Sequence, residues 1–214
     1  MNESISLKYD VLDNIEDRDF DKMNRMIIST WDYRSWIPKN NVVPMAEFFL
    51  DEVIVTSSRI FVARDGDEII GVIAASLTDN LAKKTNAKIR KYKALKKVIS
   101  RKRKEIFELY LDTLILNENL LLQSGKQFEA ALNFFILDER YRGLGIGNKL
   151  YSVFIDYLDE KGINEFFLWT DSSSNFQFYE KKGLRRIAED KYSWGGDDDA
   201  ESYYLYEGKV KVGH

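Results

Sequence analysis

A chain of 214 residues, 44% apolar and 14% aromatic, can bury one sizeable core, and a single domain over 1–214 is the expectation. Cysteine is absent and the one histidine is His214, which argues against disulfides, thiolate nucleophiles, zinc centres and histidine triads, and suits a reducing, cytoplasmic setting. The net charge of −3 hides an uneven layout: 12 of the 32 basic residues fall between Lys83 and Lys104, where no acid occurs, which leaves 20 against 35 acids elsewhere, a balance of −15.

There is no apolar run of roughly 18 residues, so no membrane span is expected, and the acidic opening MNESISLKYDVLDN lacks the form of a secretory signal. Ser6–Val11 reads as a first strand. Asp17–Trp31 sets Phe20, Met23, Met26, Ile27 and Trp31 on one helical face, with Asp17 and Asp19 near its start. Trp31–Trp36 is an aromatic connection, whose tryptophans either cap a small core or wall a binding pocket. Pro38 and Pro44 bracket a loop, and Pro44 suits the first turn of a second helix reaching about Thr56. Arg59–Ala63, a turn at Arg64-Asp65-Gly66-Asp67, and Glu68–Thr78 make a β-hairpin in which Gly71 marks a bulge or a close backbone approach.

Residues 79–125 break the rhythm as a basic helical insertion without Gly or Pro before Gly125. Ile89, Tyr92, Leu95 and Ile99 keep helical spacing, and Ile106, Phe107, Tyr110, Leu111 and Leu114 continue on a second helix. The run is either a solvated helix face, a docking surface for an acidic partner, or a homodimer contact. With Tyr92 as its sole aromatic, nucleic acid is not the expected partner.

The chain is organised around Phe128–Leu158. Phe128–Leu137 is a buried strand, a turn with Arg142, Gly143, Gly145 and Gly147 follows, and Ile146, Leu150, Val153, Phe154, Tyr157 and Leu158 form one helical stripe before Gly162. A strand feeding a glycine-rich helix start is an anion site, since unpaired amides and the helix dipole both face outward. The dinucleotide fingerprint fails, because Asn148 stands where its last glycine belongs, and the Walker A spacing is missing. Asn164–Asp171 is a further buried strand, expected parallel to the one at 128–137. Ser172, Ser173 and Ser174 offer caps for a short helix over Asn175–Lys182, closed by Gly183; Leu184–Trp194 and Ser202–Val210 read as the last two strands.

R-x-x-G-x-G from Arg142 to Gly147 after an apolar strand, with N-F-Q-F-Y-E-K-K-G-L at Asn175–Leu184, resembles the GNAT superfamily of N-acetyltransferases. The element order agrees once 79–125 is set aside. The resemblance implies an α/β (α+β) fold: a mixed, mostly antiparallel central sheet flanked by helices, with the helical insertion between the third and fourth strands. It implies that amides of Arg142, Gly143, Leu144, Gly145, Ile146 and Gly147 cradle the pyrophosphate of acetyl-CoA, with charge from the Arg142 side chain. Ile136 and Leu137 would pair their main chains with the pantetheine arm, Leu137 N–H would polarise the thioester carbonyl, Asn175 would bond the arm, and Tyr179 would protonate the leaving thiolate. Many members carry Asn where Ser172 stands, so contact with CoA there is in question. Glu129, 13 residues before Arg142, stands where some members carry a base. By alternation it shares a face with Ala131, Asn133, Phe135 and Leu137, and it is either that base or a solvated strand end. Asn133 either is a satisfied core amide or lines the acceptor site. The function implied is acetyl transfer from acetyl-CoA to a primary amine by direct attack in a ternary complex, without a metal. The alternative is a CoA-binding, non-catalytic regulatory module whose basic insertion docks an acidic partner.

Overall fold

Seven segments, most of them rich in β-branched or aromatic residues, join one sheet. The structure is a computed structural model of the chain, and it describes residues 6–77, 104–193 and 200–210. The strands are β1 (Leu7–Val11), β2 (Arg59–Asp65), β3 (Glu68–Leu77), β4 (Ala130–Leu137), β5 (Glu165–Asp171), β6 (Arg185–Ser193) and β7 (Ala200–Lys209), in the order β1-β2-β3-β4-β5-β7-β6. Every neighbouring pair is antiparallel except β4 with β5. The mostly antiparallel sheet expected from the sequence is therefore present, as is the parallel pair.

Alternation along β2 divides the core. Ile60 and Val62 face helices α1 (Asp17–Thr30) and α3 (Val42–Thr56), where Met23, Ile27, Met45 and Leu50 pack. Phe61 and Ala63 face helix α5 (Ile146–Glu160), where Leu150, Phe154 and Leu158 pack. A short helix α2 (Tyr33–Trp36) follows α1. Trp31 joins the first core, its ring 5.4 Å from Phe49 and 6.3 Å from Phe134, while Trp36 stays exposed and donates its indole N–H to Trp31 O at 3.0 Å.

Helix α4 (Lys104–Ser124) lies between β3 and β4 in sequence; the basic run up to Arg103 and the first half of the expected insertion lie outside the described residues. Leu116 and Leu120 of α4 pack with Phe128, Phe167, Tyr203 and Leu205, and the Tyr110 ring sits 5.4 Å from Phe48 of α3. Tyr192 of β6 donates its hydroxyl to Asp112 at 3.1 Å. One helix thus ties α3 to the β5, β7 and β6 end of the sheet.

Among the boundaries that differ from the sequence expectation, three matter for the site. The hairpin turn is only Gly66-Asp67, because Arg64 and Asp65 stay paired in β2. β4 starts at Ala130 instead of Phe128, whose ring is drawn 5.2 Å from Phe167. Helix α6 is Gln177–Lys181 instead of Asn175–Lys182. Gly71 stands beside a bulge, and what crowds it is side chain and not backbone. Ala63 pairs with Gly71 and Arg64 with Ile69, so Ile70 is bulged, and a Cβ on Gly71 would stand 2.9 Å from Leu150 Cδ1 and 3.0 Å from Leu137 Cδ1.

Candidate active site

The site begins where β4 and β5 part. They pair only at Ala130↔Phe166 and Ala131↔Phe167, whereas β5 continues against β7 to Asp171↔Tyr203. Beyond Ala131 no described strand pairs the β5-side edge of β4. The parting coincides with a bulge: Ala75 pairs with Leu132 and Ala74 with Phe134, so Asn133 is the extra residue. Asn133 Nδ2 donates to Thr56 Oγ1 at 3.0 Å and to Ser57 Oγ at 3.1 Å, which pins the bulge to the end of α3. Of the two readings of Asn133, the satisfied core amide is the one observed.

The bulge also resets which side chains share a face. Ala130 and Leu132 belong to the α5 core, and so do Phe135 and Leu137; Phe134 and Ile136 belong to the α1–α3 core. Ala131 packs in the α4 core. The single face expected for Glu129, Ala131, Asn133, Phe135 and Leu137 is therefore split, because one extra residue shifts the period-two parity. Glu129 itself is exposed and precedes β4, at the end where the two strands still pair. Eight residues separate it from Leu137, about 26 Å in extended chain. The structure does not bring it to the gap.

Main-chain direction at the end of β4 follows from one bond. Asp138 N–H donates to Ile70 O at 2.8 Å, towards β3. Main-chain groups alternate sides along a strand, so Ile136 also faces β3, and Phe135 and Leu137 turn theirs into the gap. The Leu137 N–H thus faces the open edge, whereas the Ile136 main chain serves β3 and is not free to pair with an added arm as expected, and its side chain is buried among α1 and α3.

The turn after β4 is anchored by charge. Asp138 accepts from Arg140 Nε at 3.0 Å, Arg140 Nη2 at 2.7 Å, the Arg140 amide at 3.1 Å and Lys22 Nζ at 2.8 Å. The Arg140 fork, opposed by burial and helped by Lys22, holds this carboxyl well below the usual carboxylate range. Lys22 is buried on α1 and also reaches Glu68 at 2.6 Å, and Tyr141 donates its hydroxyl to Asp65 at 3.0 Å. The turn is thereby fastened to α1 and to the β2–β3 hairpin.

Past it, Arg142 N–H donates to Glu139 O at 3.2 Å, so this amide is spent and the expected cradle starts one residue later. Gly143 and Gly145 both lie at φ 81°, and Lys149 N–H, donating to Gly145 O at 3.1 Å, opens the helical ladder of α5. The amides of Gly143, Leu144, Gly145, Ile146 and Gly147 precede that ladder, as helix starts require. A Cβ on Gly145 would meet nothing within 4 Å, so backbone conformation, not space, demands glycine there. Gly147 has ordinary φ and room for a methyl, with Phe135 Cζ at 3.6 Å. Chemical denaturation is expected to show Gly145→Ala losing about 1–2 kcal/mol, and Gly147→Ala gaining up to about 1 kcal/mol.

α6 packs against β4 and α5. Phe178 stacks edge-on with Phe135 of β4 at 5.4 Å and with Tyr151 of α5 at 5.8 Å. The neighbouring Tyr179 packs on the same core. Burial, with Tyr151 and Asp171 nearby, pushes its hydroxyl above the ordinary tyrosine range, so it stays protonated at neutral pH. Burial also pushes Tyr151 up to about 12. Asn175 is exposed in the turn before α6. The serines do not cap α6. Asp171 Oδ1 takes the amides of Ser173 and Ser174 at 3.0 and 2.9 Å, and Ser172 Oγ accepts from Ser202 N–H at 3.1 Å, extending the tie to β7. Phe135, Phe178, Tyr151 and Asp138 were missed by sequence reasoning; an acid closing an apolar strand before a turn is the signal that could have found Asp138.

Among the described residues there is no group of three His, Cys, Asp or Glu that could hold a metal, and no helix is long and apolar enough to cross a membrane.

The sheet, with its one parallel pair parting beside a glycine-opened helix, is a mixed α/β fold with a mostly antiparallel sheet flanked by helices. The chain matches the acetyltransferase (GNAT) family over residues 25–184 and belongs to that family. No curated protein matches it. Solved structures similar to it include PH1933 from Pyrococcus horikoshii OT3, with a TM-score of 0.60, 16% identity, and 95% of this chain and 98% of that one covered. The ribosomal-protein-S18-alanine N-acetyltransferase of Escherichia coli is similar with a TM-score of 0.55 and 12% identity, over 98% and 97% of the two chains. The PaiA N-acetyltransferase of Thermoplasma acidophilum, in complex with coenzyme A, is similar with a TM-score of 0.53 and 15% identity, over 96% and 99%.

Proposed function

We propose that the protein transfers an acetyl group from acetyl-CoA to a primary amine by direct attack in a ternary complex. The observation that carries this is the open edge of β4, with Leu137 turned into the gap, between the amides of Gly143–Gly147 and Tyr179. The glycine-turn amides take the pyrophosphate, flanked by Arg142 and Lys149, and the exposed Asn175 is within the chain segment that borders the pantetheine arm. The arm completes β4 as an added strand would.

An amine acceptor is mostly ammonium at neutral pH, with an unperturbed lysine pKa near about 10.4. Water in the gap, in place of Glu129, takes that proton. The neutral nitrogen then attacks the thioester carbon, and Leu137 N–H stabilises the oxyanion. The C–S bond breaks, the thiolate takes the Tyr179 proton, and an amide and free CoA leave. The transfer needs no acetyl-enzyme, and the chain has no cysteine thiol to form one. The acidic balance of −15 outside the basic run favours a cationic amine by long-range steering.

Acetyl-CoA at a hundredfold excess over Kd is expected to stabilise the protein by about 2.7 kcal/mol, and NAD, ATP and DNA are expected to do nothing. Free thiol should then appear when a panel of amines is mixed with protein and acetyl-CoA. Stabilisation without thiol release from any amine would favour the non-catalytic alternative; no stabilisation would remove both.

A further inference from the structure

α6 is five residues long, and Phe176 at its N-cap makes no side-chain cap bond. A helix that short has no stability of its own, yet it carries Tyr179. Phe178 and Tyr179 seat its inner face in the core, and one side chain from the last hairpin grips its other side. Arg186 lies where β6 is bulged: Arg186 pairs with Tyr206 and Ala188 with Leu205, so Ile187 is the extra residue. A bulge re-aims its neighbours. The Arg186 guanidinium carbon sits 3.8 Å from the Tyr204 ring centroid and 5.5 Å from that of Phe176, just before α6. Its Nη2 donates to Glu180 at 2.9 Å and to the Tyr206 hydroxyl at 2.9 Å. The Tyr206 hydroxyl in turn donates to Glu180 at 2.8 Å. A further bond from Nη1 to Glu189 at 3.0 Å fixes the fork. Phe176 and Glu180 bracket Tyr179 in sequence, so one planar group grips α6 on both sides of it.

We propose that Arg186 is a positioning residue for acetyl transfer: with Tyr206 and Glu180 it clamps α6 so that the Tyr179 hydroxyl is held over the β4–β5 gap, and it acts on the reaction only through Tyr179. This rests on the acyltransferase function proposed above with Tyr179 as the proton donor. A side chain still about a third exposed contributes little to stability through its ion pairs, so its effect belongs in the kinetics.

The test is a double-mutant cycle with acetyl-CoA and the panel amine that the wild type acetylates fastest. Arg186→Met is expected to lower kcat about 10- to 100-fold, as a small misplacement does, with Kd for acetyl-CoA within about twofold of wild type. In a Tyr179→Phe background the same change is expected to cost less than about twofold, because sites acting through one group are non-additive. Arg186→Lys should not rescue, since a lysine keeps the charge and loses the stacked fork. Should Arg186→Met not fold, Tyr206→Phe removes one hydroxyl of the clamp and takes its place in the cycle. The proposal is overturned if the losses multiply in the double variant, if lysine restores turnover, or if turnover is unchanged in the single variants. An unchanged Tyr179→Phe enzyme overturns it by removing the residue being positioned. A wild type that binds acetyl-CoA and acetylates no amine overturns it at the level of the function itself, a result read before any variant is made.

Discussion

Tyr179→Phe is expected to lower kcat on the order of 100-fold or more while changing acetyl-CoA affinity by less than about twofold. The ring is part of a packed aromatic group with Phe178 at 5.6 Å and Tyr206 at 6.3 Å, and a phenylalanine preserves that packing. What the proposed mechanism loses is the proton given to the leaving sulfur. A thiol has an unperturbed pKa near about 8.5, so its thiolate is a fair leaving group unaided, which keeps the expected loss towards the lower end of acid catalysis. The pH profile adds a sign. Burial first, then Tyr151 and Asp171, push the Tyr179 hydroxyl up. The protonated, active form therefore persists through pH 10, the ordinary tyrosine value, and the alkaline fall of kcat is expected above it. Tyr179→Phe should lack that fall, because no proton remains to lose. A variant that turns over like wild type, or keeps the same alkaline fall, assigns the proton to another donor.

How much of this was legible beforehand depends on what each feature asks of the chain. The glycine turn was legible because φ 81° at Gly143 and Gly145 excludes most side chains, and that demand shows as composition. The α5 stripe was legible because a helix over a sheet must repeat its apolar positions: Ile146, Leu150, Phe154 and Leu158 are all buried. The parting of β4 from β5 was not. Phe134, Phe135, Ile136 and Leu137 look like a strand covered on both faces, and the missing partner lies along its edge, where side chains carry no mark.

The bulge at Asn133 was equally silent. Its partner Ser57 is 76 residues away, and until that bond is known the alternation through Glu129 looks sound. The three serines before α6 do not cap it for a local reason: Asp171, one residue earlier, draws the Ser173 and Ser174 amides into its own turn, and Phe176 N–H goes to the Ser174 carbonyl. Tyr179 could be placed because a motif surrounds it. Arg186 could not, since its grip on α6 needs a bulge at Ile187 and two tyrosines from β7. Placement in the candidate site was thus readable wherever it needed a special backbone, and hidden wherever it needed contacts between distant segments.

Asp138→Asn is expected to cost about 2–3 kcal/mol in stability at neutral pH, below the full cost of breaking a buried pair. Its side chain is 10% exposed and Lys22 is 8% exposed, so the ammonium left behind has little access to water. Glu68, still 2.6 Å from Lys22, limits the damage, and Arg140 is exposed enough to be solvated. The pH dependence has a fixed sign. A carboxyl whose folded pKa is lowered contributes stability that is complete above its unfolded value, near 3.8, and is lost as pH falls through the folded value. Wild type and Asp138→Asn should therefore differ most above pH 5 and converge in acid, in urea melts at matched ionic strength. Lys22→Met should cost less than Asp138→Asn, because Asp138 would keep its Arg140 fork and the methionine would fill the space without a charge. Because Asp138 also caps the turn leading to Gly143, its loss should weaken acetyl-CoA binding as well, whereas Lys22→Met should leave the cap and most of the affinity in place. Equal stability losses for the two variants, or a gap between wild type and Asp138→Asn that widens in acid, would show that this carboxylate does not fasten the turn.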